Sequence, residues 1–75
     1  MGVFDLKKGE SGKILSVQVD GAAGERLHLL GIKKGQTVTV LSYSLFKGSV
    51  LLGVGYNRVA IRRSIAERIE VEKIV

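Results

Sequence analysis

Ten glycines and no proline divide the 75 residues of this chain into short runs, and that punctuation restricts the fold more than any other feature. Turn signals at intervals of about 8 to 12 residues belong to short strands rather than to long helices. Within the runs, apolar and polar residues alternate with period two, as half-buried strands require. Leu15, Val17 and Val19 alternate with Ser16 and Gln18 over residues 13–19. Gly35 opens a second strand, in which Val38 and Val40 face one way while Thr37, Thr39 and Leu41 face the other. Val50, Leu52 and Val54 form its partner across a loop at residues 44–48. Residues 56–62 follow the turn glycines Gly53 and Gly55, with Val59 and Ile61 on one face and Arg58, Ala60 and Arg62 on the other. Ile69 and Val71, alternating with Glu70 and Glu72, make the last strand.

One segment changes period. Asp20 offers a side-chain acceptor to exposed helical N–H groups, and Ala23, Leu27 and Leu30 follow at i, i+4 and i+7. Gly31 suits the left-handed position that ends a helix, and Ile32 can pack back on the last turn. A helix over residues 21–30 is predicted. Ser64 with Glu67 three residues later reads as a capping box for one helical turn. Five short strands can bury their apolar faces only by curling the sheet on itself, and closure would remove exposed edges. The expectation is therefore a mainly β fold: a small five-stranded barrel of Src-homology-3 (SH3)-like type, with one short helix between strands 1 and 2 and a helical turn before strand 5. Leu15, Val17, Val19, Leu27, Leu30, Val38, Val40, Val50, Leu52, Val54, Val59, Ile61, Ile69 and Val71 should lie inside. A chain this short fills one hydrophobic core, so residues 1–75 are expected to form one domain.

The catalytic inventory is nearly empty. Without cysteine the chain offers no disulfide, zinc finger, iron–sulfur ligation or thiolate nucleophile. Its single imidazole, His28, has no carboxylate partner in sequence and reads as a solvated helical residue. Gly53-Val54-Gly55 lacks the third glycine and following helix of a dinucleotide site, and no phosphate-binding loop motif occurs. No enzymatic activity, cofactor or metal site of its own is expected. The first residues carry charges and no apolar run, so a cytoplasmic address is expected. The net charge of +5 favours acidic partners.

Arg58 and Arg62 share a strand face about 13 Å apart at ordinary strand rise. With Tyr56 beside them they are candidate partner contacts. Leu45 and Phe46 stand at the tip of the predicted hairpin, where turn chemistry calls for polar residues. They either fold back over the barrel mouth, the favoured outcome for large apolar loop residues in a small barrel, or stand exposed as docking residues.

The order and spacing of Leu6, Gly9, Gly12, Ile14, Arg26-Leu27, Leu30-Gly31-Ile32, Gly35, Gly55, Ala60-Ile61-Arg62, Ala66, Ile69 and Val71 resemble the FeoA proteins of bacterial ferrous iron uptake. That family is similar to the SH3-like C-terminal domains of iron-dependent repressors. The resemblance implies a non-enzymatic accessory or regulatory partner of FeoB, the transporter that moves Fe²⁺ and carries a cytoplasmic GTP-binding domain. Residues 44–48 depart from the family's Gly-Asp-Pro-like loop. The alternative, from the +5 charge and Tyr56 beside Arg58, is a small basic barrel that binds nucleic acid.

Overall fold

Alternating residues place every second side chain on a common interior, and the five runs pair into one antiparallel sheet. The computed structural model describes residues 1–74. Its strands are β1 (Ser11–Val17), β2 (Thr37–Tyr43), β3 (Ser49–Val54), β4 (Asn57–Arg62) and β5 (Ile69–Ile74), in the spatial order β4-β3-β2-β1-β5. Helix α1 (Gly21–Leu29) lies between β1 and β2, and the single turn α2 (Arg63–Ala66) between β4 and β5. Short 3-10 turns occur at Val3–Asp5 and Leu45–Lys47.

The sheet curls but does not close. Among the described residues no ladder joins β4 to β5, so hydrogen-bonded closure, as expected from the alternation, is not found. Side chains seal the seam instead: Ala66 is fully buried, and Ile65 packs against the core.

The inward faces of β2 to β5 are those that the alternation predicts, with Val38, Val40, Val50, Leu52, Val54, Val59, Ile61, Ile69 and Val71 all buried. The first strand is different. Ile14 pairs with Val71 and Ser16 with Glu70, so Leu15 is an extra residue at a bulge. Gly12 and Ile14 face inward before the bulge, while Leu15 is 40% exposed rather than internal. Val17, Val19 and Leu30 pack at the core's margin, only partly buried. Five core residues come from outside the predicted set: Val3, Leu6, Ile14, Ile32 and Ala66. The N-terminal turn that carries Val3 and Leu6 is held on β5, where Val71 donates its N–H to the Met1 carbonyl at 2.7 Å.

Helix α1 ends as the sequence predicts. Gly31, at φ +91°, donates to the His28 carbonyl at 3.0 Å, and Ile32 donates to the Leu27 carbonyl at 2.9 Å, the pair of bonds that defines a Schellman cap. Its start does not, because the Asp20 side chain makes no capping bond. Ala23 is exposed, so the buried stripe narrows to Leu27. The capping box at Ser64 is also absent: α2 begins at Arg63, which places Ser64 inside the turn, and Glu67 pairs with Arg63 Nε at 3.3 Å instead.

Gly24 sits where α1 crosses the end of β1, and a Cβ there would lie 2.1 Å from the Val19 carbonyl oxygen. Alanine normally favours a helix over glycine by about 1 kcal/mol. Gly24→Ala should nonetheless destabilise the fold by about 1–3 kcal/mol, because neither backbone can yield cheaply; a urea midpoint that falls relative to the parent protein is the expected result.

The Tyr43 hydroxyl donates to the Leu6 carbonyl and lies 3.4 Å from the Val3 carbonyl oxygen, tying β2 to the N-terminal turn. Burial, then the nearby carboxylates of Asp5 and Glu10, push its pKa above the ordinary 10.0. The folded state therefore prefers the protonated phenol, so the stability this provides is complete below the unfolded value and is lost as pH rises toward the folded one. Tyr43→Phe should cost about 1–2 kcal/mol at neutral pH and reduce the loss of stability above about pH 10, both read from urea titrations across that range.

Candidate partner-binding groove

Because β4 pairs on one side only, half of its backbone is free. The two-residue turn of Gly55 and Tyr56 makes Val54 and Asn57 the first hydrogen-bonded pair, and the antiparallel alternation then uses Val59 and Ile61 in the ladder with β3. The N–H and C=O groups of Arg58 and Ala60 and the N–H of Arg62 consequently point away from the sheet, while the Arg62 carbonyl caps α2. That free edge lines one wall of a groove. Ala22, Ala23, Arg26, Leu27 and Leu30, on α1 and its cap, form the other, and Ile65 closes one end.

The floor is apolar and the rim is basic. Arg26, Arg58 and Arg62 are all exposed, and among the described residues none of the three is in an ion pair. Among the described residues no acidic one lines the groove. Three uncompensated guanidinium groups beside apolar side chains and an unpaired strand edge suit an extended segment that carries both carboxylates and apolar residues. Among the described residues no aromatic ring lines the groove to offer a stacking platform for bases.

The five candidate contacts do not form one site. Arg58 and Arg62 line the groove together. Tyr56 lies beyond its end, fully exposed at the β3–β4 turn. Leu45 and Phe46 occupy the opposite end of β3, about 17 Å away at ordinary strand rise. Sequence reasoning missed Arg26, Ala22, Ala23 and Ile65. Ala22 and Arg26 do stand at i, i+4, but nothing in the sequence says that this helical face meets β4. His28 is exposed on α1, and among the described residues no three His, Asp or Glu side chains gather as metal ligands.

Leu45 and Phe46 do not fold back; they are 82% and 91% exposed. That end of the sheet is already covered by Tyr43, whose ring packs on Phe4 at 5.1 Å, and by Val3 and Leu6 beneath. The tip is nonetheless well defined. Ser49 donates its N–H to the Ser44 hydroxyl at 2.9 Å, and Lys47 donates its N–H to the Ser44 carbonyl at 2.8 Å. Phe46 and Lys47 hold left-handed backbone at φ +66° and +54°, which costs a side-chain-bearing residue about 1–2 kcal/mol. Phe46→Gly should leave the melting temperature unchanged or raise the stability by up to about 1 kcal/mol, since no core contact is lost and the strain is relieved; a clear drop on thermal denaturation would restore the folded-back plug.

Residues 1–73 match the FeoA domain. The solution structure of iron(II) transport protein A from Clostridium thermocellum superposes with a TM-score of 0.91 at 23% identity, covering 99% of this chain and 46% of that one. FeoA from Chlorobium tepidum gives 0.94 at 27% identity over 100% and 71% of the two chains. FeoA from Stenotrophomonas maltophilia, described as an SH3 domain protein and crystallised with zinc, gives 0.83 at 32% identity over 96% and 89%. The fold is therefore SH3-like, and it recurs in a manganese-dependent transcriptional repressor with a TM-score of 0.86 at 17% identity, over 99% of this chain and 36% of that one. The chain spans under half the length of the Clostridium protein. Comparison with curated protein sequences gives no match.

Proposed function

Since the chain belongs to the FeoA domain family, we propose that it is a non-enzymatic cytoplasmic accessory protein of ferrous iron uptake that docks on the cytoplasmic part of an FeoB-type transporter. The observation that carries this reading is the groove between α1 and β4, in which Arg26, Arg58 and Arg62 stand over an apolar floor with no ion-pair partner among the described residues. A protein that acts by recognition needs a surface of this kind, whereas a hydrolase or transferase needs a nucleophile and an oriented base.

The segment that fits is extended. It would add to the free edge of β4 through main-chain hydrogen bonds, place alternate apolar side chains against Leu27, Leu30 and Ile61, and set carboxylates against the arginines. In this reading Arg58 and Arg62 are partner contacts, as expected from the sequence, with Arg26 as a third member. Tyr56 can meet only a partner that extends past the groove's end. No step of GTP turnover is assigned to the chain.

Titration of the purified cytoplasmic portion of the cognate FeoB transporter into the protein tests the assignment. Arg58→Glu combined with Arg62→Glu should weaken binding by about tenfold or more. Both side chains are exposed and form no ion pair among the described residues, so the melting temperature should stay within a few degrees of the parent's. Undiminished binding by the double variant would remove the groove from the contact, and absence of binding by the parent protein would remove the transporter reading itself.

A further inference from the structure

From the Leu45–Phe46 tip we infer that this end of the molecule rests on an anionic lipid bilayer, with the two apolar side chains inserted at the headgroup boundary. The two side chains are the most prominent apolar feature of the β2–β3 hairpin, at 82% and 91% exposure, and none of the described residues covers them. They are held outward by a braced loop. The Ser44 hydroxyl bridges its base, and the left-handed backbone at Phe46 and Lys47 is kept at positions where glycine would be easier.

The charge around the tip matches this occupant. Lys47 belongs to it, Arg62 pairs with Ser49 at its base, and Arg63 donates its N–H to the Gly48 carbonyl. The nearby carboxylates are Glu67, paired with Arg63 at 3.3 Å, Glu10, paired with Lys73 at 2.7 Å, and Asp5 on the N-terminal turn. With Lys47, Arg62 and Arg63 at its base and a net charge of +5 on the chain, the tip joins an apolar pair to neighbouring cations, the pattern that binds anionic membrane surfaces.

Shape separates a bilayer from a protein partner. A specific protein interface buries about 800 Å² on each side, and two side chains on a convex tip supply only a small part of that. A bilayer asks for no complementary wall: insertion of a Phe and a Leu, with basic residues at headgroup level, is sufficient for reversible attachment. The inference goes beyond the transporter reading and does not depend on it.

The chain contains no tryptophan, so Phe46→Trp introduces a single reporter at the tip. Mixed with vesicles of phosphatidylcholine and phosphatidylglycerol, this variant should show a blue-shifted emission that brominated lipid quenches. Vesicles of phosphatidylcholine alone should give little change. In co-sedimentation, Lys47→Glu should weaken binding of the parent protein by about tenfold, and added salt should weaken it further. Leu45→Ser with Phe46→Asn, in which asparagine tolerates the left-handed backbone, should abolish binding without lowering the melting temperature. No emission change with anionic vesicles at low salt would overturn the inference. So would equal binding to neutral vesicles, or retention of binding by the serine–asparagine variant, which would reduce the effect to diffuse charge. The vesicles carry no protein, so either outcome leaves the groove and its partner untouched.

Discussion

Because the ladder stops at β4 on one side and β5 on the other, the apolar interior of this small sheet is sealed by side chains rather than by a ring of hydrogen bonds. Val3 and Leu6 cover one opening from the N-terminal turn, Ala66 fills the seam, and Ile32 anchors the end of α1. Burial of these residues, each at 2% exposure or less, contributes on the order of 1.5–3 kcal/mol for a large aliphatic side chain, which is a large share of the stability of a 75-residue chain. The seal also has a geometric effect. Plugging the seam with α2 leaves β4 without a second neighbour, and α1 then stands opposite the open edge to make the groove.

The same economy explains the tip. Tyr43 already spans from β2 to the N-terminal turn by its hydroxyl and packs its ring, tilted by 59°, on Phe4, so that end is covered without Leu45 or Phe46. Arg63 lies over the Phe4 ring at 5.1 Å and Lys47 over the Tyr43 ring at 5.2 Å, which places cations around the aromatic cover as well as around the protruding loop. A rigid, covered end with two apolar residues held away from it results from the order in which sites are filled, rather than from any preference of Leu and Phe for water.

Strand positions were legible in the sequence wherever a run kept one register. From Val38 to Val71 the period-two residues are the core: β3 and β4 pair without a break, and the register shift between β2 and β3 falls at Leu41, after Val38 and Val40 have already been placed inward. The bulge at Leu15 hid the true phase of β1: Leu15, Val17 and Val19 alternate perfectly as letters, but one extra residue between Ile14 and Ser16 turns Leu15 outward. Val3 and Leu6 were illegible for another reason. A 3-10 turn of three residues has too little length to display a period, and its burial depends on the contact with β5. The glycine after α1 was readable because a left-handed cap is a local requirement. The capping roles of Asp20 and Ser64 were also locally plausible, yet packing set the helix starts without them. For the site, Arg58 and Arg62 could be named from their shared strand face. Their meeting with Arg26 could not, because it depends on where a helix lands after a connection that carries no period.

An unpaired strand edge ordinarily invites a second copy of itself. Two β4 edges laid antiparallel about Ala60 would bring Arg58 of each molecule opposite Arg62 of the other, four guanidinium groups in two facing pairs with no carboxylate between them. The arginines that attract an acidic segment thereby discourage polymerisation through the same backbone, and a single pair of charges sorts a foreign strand from a sibling one.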